Sequence, residues 1–222
     1  MFLRLAALAL TLATLTACVP QDADAPFLSF LPEREADLST SGLTAPMRWD
    51  HLPEAEDWTS TALSALDTHG SVLPQVMPRD ISTWCPAYPD ADLEQRKAFW
   101  TGLISTLAKH ESTWNPRAVG GGGLWFGLVQ IAPATARGYG CEARSGAALK
   151  DGSANLSCAI RIMSHTVARD GVVSHNMRGV AADWGPFHSS RKREDMRAWV
   201  SAQPYCQAKS TGLFQSRPTR SE

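Results

Sequence analysis

The chain has 222 residues, 44% of them apolar and 19% charged, which is the balance of a globular protein and excludes a wholly disordered one. That length suits one domain with a full core rather than two. Lys+Arg 21 against Asp+Glu 22 gives a net charge of −1, so the basic excess of a nucleic-acid binder is missing. Tryptophan is frequent, at eight residues. That number fits a carbohydrate cleft, although core packing accounts for most tryptophans.

Residues 1–17 carry one Arg followed by a Leu/Ala/Thr run. The run is too short to span a bilayer, so the expectation is an export signal. It ends Leu15-Thr16-Ala17-Cys18, which resembles the lipobox of bacterial lipoproteins. That resemblance implies a lipidated Cys18, a membrane attachment through it and a location in the cell envelope. The stretch 18–45 is rich in Pro, Ser and Asp without an apolar period and reads as a tether. Residues 208–222 read as a disordered tail. The domain is expected over 46–207.

Export makes the cysteine count informative. Apart from Cys18 there are Cys85, Cys141, Cys158 and Cys206, enough for two disulfides with three possible pairings. Cys141–Cys158 with Cys85–Cys206 is favoured. The first closes a local loop, at about 3 kcal/mol in the chain-entropy account, and the second joins the ends of the domain. No C-x-x-C pair is present, and neither a metal site nor a cofactor is expected.

In chain order, helical spacing is expected over 50–66, 92–112, 155–167 and 194–200, with Asn155 as an N-cap. Few segments alternate with period two, so the fold class is all-α, a single helical domain with little or no sheet. The longest helix places Trp100, Leu103, Ile104, Leu107 and Ala108 on one apolar stripe, and the next position on that stripe is Glu111. A carboxylate there is either sheltered, with a raised pKa suited to a general acid, or a frayed helix-end residue paired with a cation. Pro116 stops the helix, Gly120 to Gly123 allow a sharp turn, and Pro133 suits the first turn of the next helix.

Glu111-Ser112, Asn115-Pro116, Ala118, Gly127-Leu128, Gln130-Ile131, Pro133 and Thr135-Ala136 stand at fixed spacing. This pattern resembles the soluble-lytic-transglycosylase-like enzymes of the lysozyme superfamily, which cleave peptidoglycan glycan strands. The resemblance implies a lysozyme-like fold with a cleft between the long helix and the 127–136 segment. It also implies that Glu111 is the sole catalytic acid and then base. The glycosidic bond between N-acetylmuramic acid and N-acetylglucosamine would be cut with formation of a 1,6-anhydro sugar. Ser112, Gln130 and Asn155 would position substrate. Trp114, Trp125, Phe126, Tyr139 and Trp184 are candidates for the cleft wall, each also a candidate for the core.

The sequence departs from the family where a Tyr is expected, at Asp183, and Val129 replaces the usual Met. Asp183 near the cleft would allow a hydrolytic muramidase, or would raise the Glu111 pKa by repulsion. Alternatively it is a cap or loop residue. A catalytically inactive glycan-binding protein is the reading from a different class, and an envelope partner complex is neither indicated nor excluded. His110-Glu111 begins like a zinc-protease helix, but Trp114 occupies the position of the second His. Arg191-Lys192-Arg193 precedes Glu194-Asp195 and reads as a solvated helix start.

Overall fold

The computed structural model describes residues 45–207. The segments expected as export signal and tail, Cys18 and nearly all of the expected tether lie outside them. Among the described residues no helix is long and apolar enough to cross a membrane.

Six helices make the body: α1 (Ala55–Asp67), α2 (Ile81–Trp84), α3 (Leu93–Ser112), α4 (Pro133–Gly138), α5 (Gly152–Asp170) and α6 (Ser190–Ser201). Two antiparallel hairpins complete it, β1 (Val119–Gly120) with β2 (Trp125–Phe126) and β3 (Ser174–His175) with β4 (Arg178–Gly179). The all-α expectation holds, with strands only two residues long.

α3 forms because Asp92 and Gln95 make a reciprocal capping box: Asp92 Oδ1 accepts from the Gln95 N–H at 2.9 Å, and Gln95 Oε1 accepts from the Asp92 N–H at 3.1 Å. Asp92 is therefore the cap and not the first helical residue. The expected stripe is fully buried, but so is every residue from Lys97 to Ala108. α3 is the central helix, wrapped on all sides. Its buried hydroxyls are satisfied within the helix: Thr101 donates to the Lys97 carbonyl, Ser105 to Gly102 and Thr106 to Leu103. The helix ends at Ser112, before Pro116, because Thr113 turns left-handed at φ 54°.

α5 begins three residues earlier than the periodicity indicates. Its cap is Asp151, whose carboxylate accepts from the Ala154 N–H at 2.8 Å. Asn155 is an interior helical residue, and its side chain serves elsewhere. α1 and α6 cover other faces of the core, with α6 beginning at Ser190 rather than Glu194. Both favoured disulfides are present, Cys85–Cys206 and Cys141–Cys158, spanning 121 and 17 residues. Five of the eight tryptophans, Trp49, Trp58, Trp84, Trp100 and Trp184, are core residues, and Trp125 is exposed at 46%. Packing thus claims most of the tryptophans.

Candidate active site

Glu111 lies in the last turn of α3, half-buried, with no hydrogen bond or ion pair among the described residues. Burial raises its pKa from 4.5 to about 7, with the Lys192 ammonium pulling the other way. Asp183 is not among the charges that act on Glu111, so repulsion between the two carboxylates does not explain the shift. Of the two readings of the apolar stripe, the sheltered carboxyl is the one the fold adopts.

The residues after Glu111 build a rigid floor. Thr113 and Trp114 both take positive φ, 54° and 58°, and Gln130 takes 50°. Such strain in non-glycine residues persists only where the surroundings dictate it. Here the Trp114 indole N–H donates to the Ser105 carbonyl at 2.9 Å, and its ring edge meets His51 at 4.8 Å between centroids.

Opposite runs the segment 127–130, pinned from three directions. The Ser112 hydroxyl donates to the Leu128 carbonyl at 2.7 Å. The Asn155 carboxamide accepts from the Val129 N–H and donates to the Phe126 and Leu149 carbonyls, each at 3.0 Å. The Trp184 indole donates to the Val129 carbonyl at 2.8 Å. Gly127 has φ 83°, and a Cβ there would sit 2.1 Å from the Leu149 carbonyl oxygen and 2.3 Å from the Asn155 amide nitrogen. Glycine is required on both counts.

These bonds correct three expectations. Asn155 is fully buried with every polar atom of its side chain engaged, so it holds backbone and has nothing left for a sugar. Trp184 is 3% exposed with its N–H committed, so it is core rather than a stacking platform. Ser112 likewise spends its hydroxyl on the backbone.

Gln130 is half-committed. Its amide nitrogen donates to the Ala118 and Gly127 carbonyls at 3.3 and 2.8 Å, while its Oε1 lies over Gly120. The exposed ring of Trp125 lies over Gly121, and Gly122 and Gly123 border open space. Phe126 is half-buried against Gly146. Asp183 is surface-exposed and accepts from the Tyr139 hydroxyl at 3.1 Å, and desolvation still raises its pKa. Gln130, Trp125, Thr135 and Asp183 share the wall of a small cavity of about 40 Å³. Glu111 is not on that wall, and a cavity of about 890 Å³ borders α1 instead. Among the described residues no cluster of three or more His, Cys, Asp or Glu could hold a metal ion.

Sequence reasoning missed Lys192 and Asp195. Asp195 accepts from Arg48 at 2.6 and 3.0 Å, and lies 2.7 Å from His110 Nε2 and 3.5 Å from Lys109 Nζ. Within the basic run Lys192 is half-buried and Arg193 donates to the Phe187 carbonyl at 2.8 Å, so the run is not simply solvated. The only signal of Lys192 and Asp195 was the charge alternation itself, which does not say which face of α6 meets α3.

Residues 91–184 match the family model described as "Transglycosylase SLT domain". No curated protein matches. Three solved structures of Bd0314 DslA are similar. One glutamate-to-glutamine mutant aligns with a TM-score of 0.68 at 27% identity, covering 74% of this chain and 99% of that one. A second such mutant gives 0.67 at 28%, covering 73% and 98%. The wild-type form 2 gives 0.64 at 28%, covering 74% and 99%. Over residues 91–184 the helical architecture and the family match agree, and that stretch of the chain is similar to a transglycosylase SLT domain.

Proposed function

We propose that the protein is a peptidoglycan lytic transglycosylase in which Glu111 is the sole acid and base. The observation that carries this reading is the solitary, sheltered carboxyl of Glu111, whose pKa of about 7 leaves it substantially protonated at neutral pH. A group poised near the working pH both gives and retakes a proton efficiently. Glu111 would first protonate the bridging oxygen as the bond from C1 of N-acetylmuramic acid breaks. The resulting carboxylate would then take the proton of the C6 hydroxyl as that oxygen closes onto C1. One bond breaks, one forms, no water is consumed, and the carboxyl returns to its starting state. Gln130 Oε1, to which no described residue donates a hydrogen bond, and the exposed Trp125 ring are the groups that would hold the sugar. Ser112, Asn155 and Trp184 serve by fixing the backbone on which Gln130 stands.

The hydrolytic alternative needs Asp183 to direct a water at the same sugar. It is disfavoured because Glu111 does not feel the Asp183 charge and because Asp183 is hydrogen-bonded to Tyr139. The test is the chemistry of the ends released from purified peptidoglycan, read by mass spectrometry. Anhydro-muramoyl ends support the proposal, and reducing ends alone overturn it in favour of hydrolysis. No release at all from folded protein leaves the glycan-binding reading. Cell-envelope location through a lipidated Cys18 belongs to the same proposal. Labelled fatty acid should enter the wild-type chain in cells and be lost in Cys18→Ala.

A further inference from the structure

The α6 face that meets α3 carries more than packing. Asp195 holds the two residues directly before Glu111, with His110 at 2.7 Å and Lys109 at 3.5 Å, while Arg48 from the N-terminal segment closes its other side. The last turn of α3 is thereby clamped to α6. Lys192 stands three residues before Asp195, on the same face of α6 and one turn nearer its start. It is half-buried and has no ion-pair partner among the described residues. The next residue, Arg193, is instead tied to the Phe187 carbonyl at 2.8 Å.

We infer that Lys192 is a positioning residue for the Glu111 reaction: the Asp195 clamp holds its ammonium in electrostatic reach of the carboxyl, where it steadies the carboxylate between the two proton transfers. The inference rests on the acid and base reading of Glu111. Its chemical sense follows from the cycle. Burial alone makes a carboxyl easy to protonate but a reluctant proton donor, and a nearby cation restores acidity without removing the shelter.

The charged or titratable groups facing this end of α3 are Lys109 and His110 on the helix itself, Lys192 and Asp195 from α6, and Arg48 and His51 from the N-terminal segment. Lys109, His110 and Arg48 are engaged by Asp195, and the His51 ring lies against Trp114. Among the described residues Lys192 is the one left to act on Glu111, and its charge lowers the Glu111 pKa against burial.

The experiment is a carbon-13 carboxyl NMR titration of Glu111 in the full chain, assigned with Glu111→Gln, alongside the pH profile of kcat on purified peptidoglycan. In Lys192→Met the Glu111 midpoint and the alkaline limb should both rise, by about half to one pH unit, with KM little changed. Lys192→Arg should restore both. Melting temperatures establish that each variant is folded. A Glu111 midpoint unmoved by Lys192→Met in folded protein overturns the inference while leaving the acid and base reading intact. A wild-type midpoint near 4.5 overturns both.

Discussion

At the scale of the residue, the functional argument turns on one carboxyl and the groups that keep its surroundings rigid. Glu111→Gln keeps shape and removes the proton, so turnover should fall by about 10²- to 10⁴-fold. Its stability effect has a definite sign. A carboxyl whose pKa is raised by folding favours the folded state while protonated. That contribution is intact below the ordinary carboxylate pKa of 4.5 and disappears as pH rises through about 7. Wild type and Glu111→Gln should therefore unfold alike at pH 4. At pH 8 the variant should be the more stable, by at most about 3 kcal/mol, in denaturant titrations. Equal stability at both pH values would mean that Glu111 is not sheltered. Asn155 is the structural counterpart. Asn155→Ala orphans the buried Val129 N–H and Leu149 carbonyl and takes one of two hydrogen bonds from the Phe126 carbonyl, and should cost about 2–4 kcal/mol in denaturant unfolding.

At the scale of the element, the 127–130 segment owes its course to partners on three other elements and not to its own propensity. Gly127→Ala forces a Cβ into the Leu149 carbonyl and the Asn155 amide. Turnover should drop at least about tenfold even where the fold survives, because Gln130 then moves. Crystal structures of the variant, or amide exchange at Val129, would register the displaced backbone. The Cys141–Cys158 bridge ties α5 to the chain just after α4, across 17 residues. Replacing both cysteines by serine should lower stability by about 3 kcal/mol while leaving the Cys85–Cys206 bridge to hold the domain ends.

At the scale of the whole molecule, Asp195 is where the N-terminal segment, α3 and α6 meet. Arg48, with further help from His110 and Lys109, holds its carboxyl well below the usual carboxylate range. The sign is opposite to that of Glu111. This stabilisation is present above the ordinary carboxylate pKa and is lost as pH falls toward the lowered value. Wild type should lose melting temperature steeply on acidification below about pH 4, and Asp195→Asn should flatten that slope. Thermal melts from pH 2 to 7 would reveal the difference, and parallel slopes would remove Asp195 from this role.

The residue order by itself determined the helical class, the course of α3 and the place of Glu111 along it, because each depends on local spacing or on a short motif; it left three cysteine pairings with one favoured, and the fold decided among them. The apolar spacing along 100–108 and the Glu-Ser, Asn-Pro and Gln-Ile pattern are readable without coordinates, whereas the burial of α3 on all sides is not. The roles of Asn155, Trp184 and Ser112 were not, since a polar or aromatic side chain looks the same in sequence whether it meets a sugar or a buried backbone group. Lys192 and Asp195 lie more than 80 positions from Glu111, and only the docking of α6 on the end of α3 brings their charges to it. The shelter of Glu111 also belongs to tertiary structure: periodicity places a carboxyl on a face, but desolvation requires the neighbours that packing supplies.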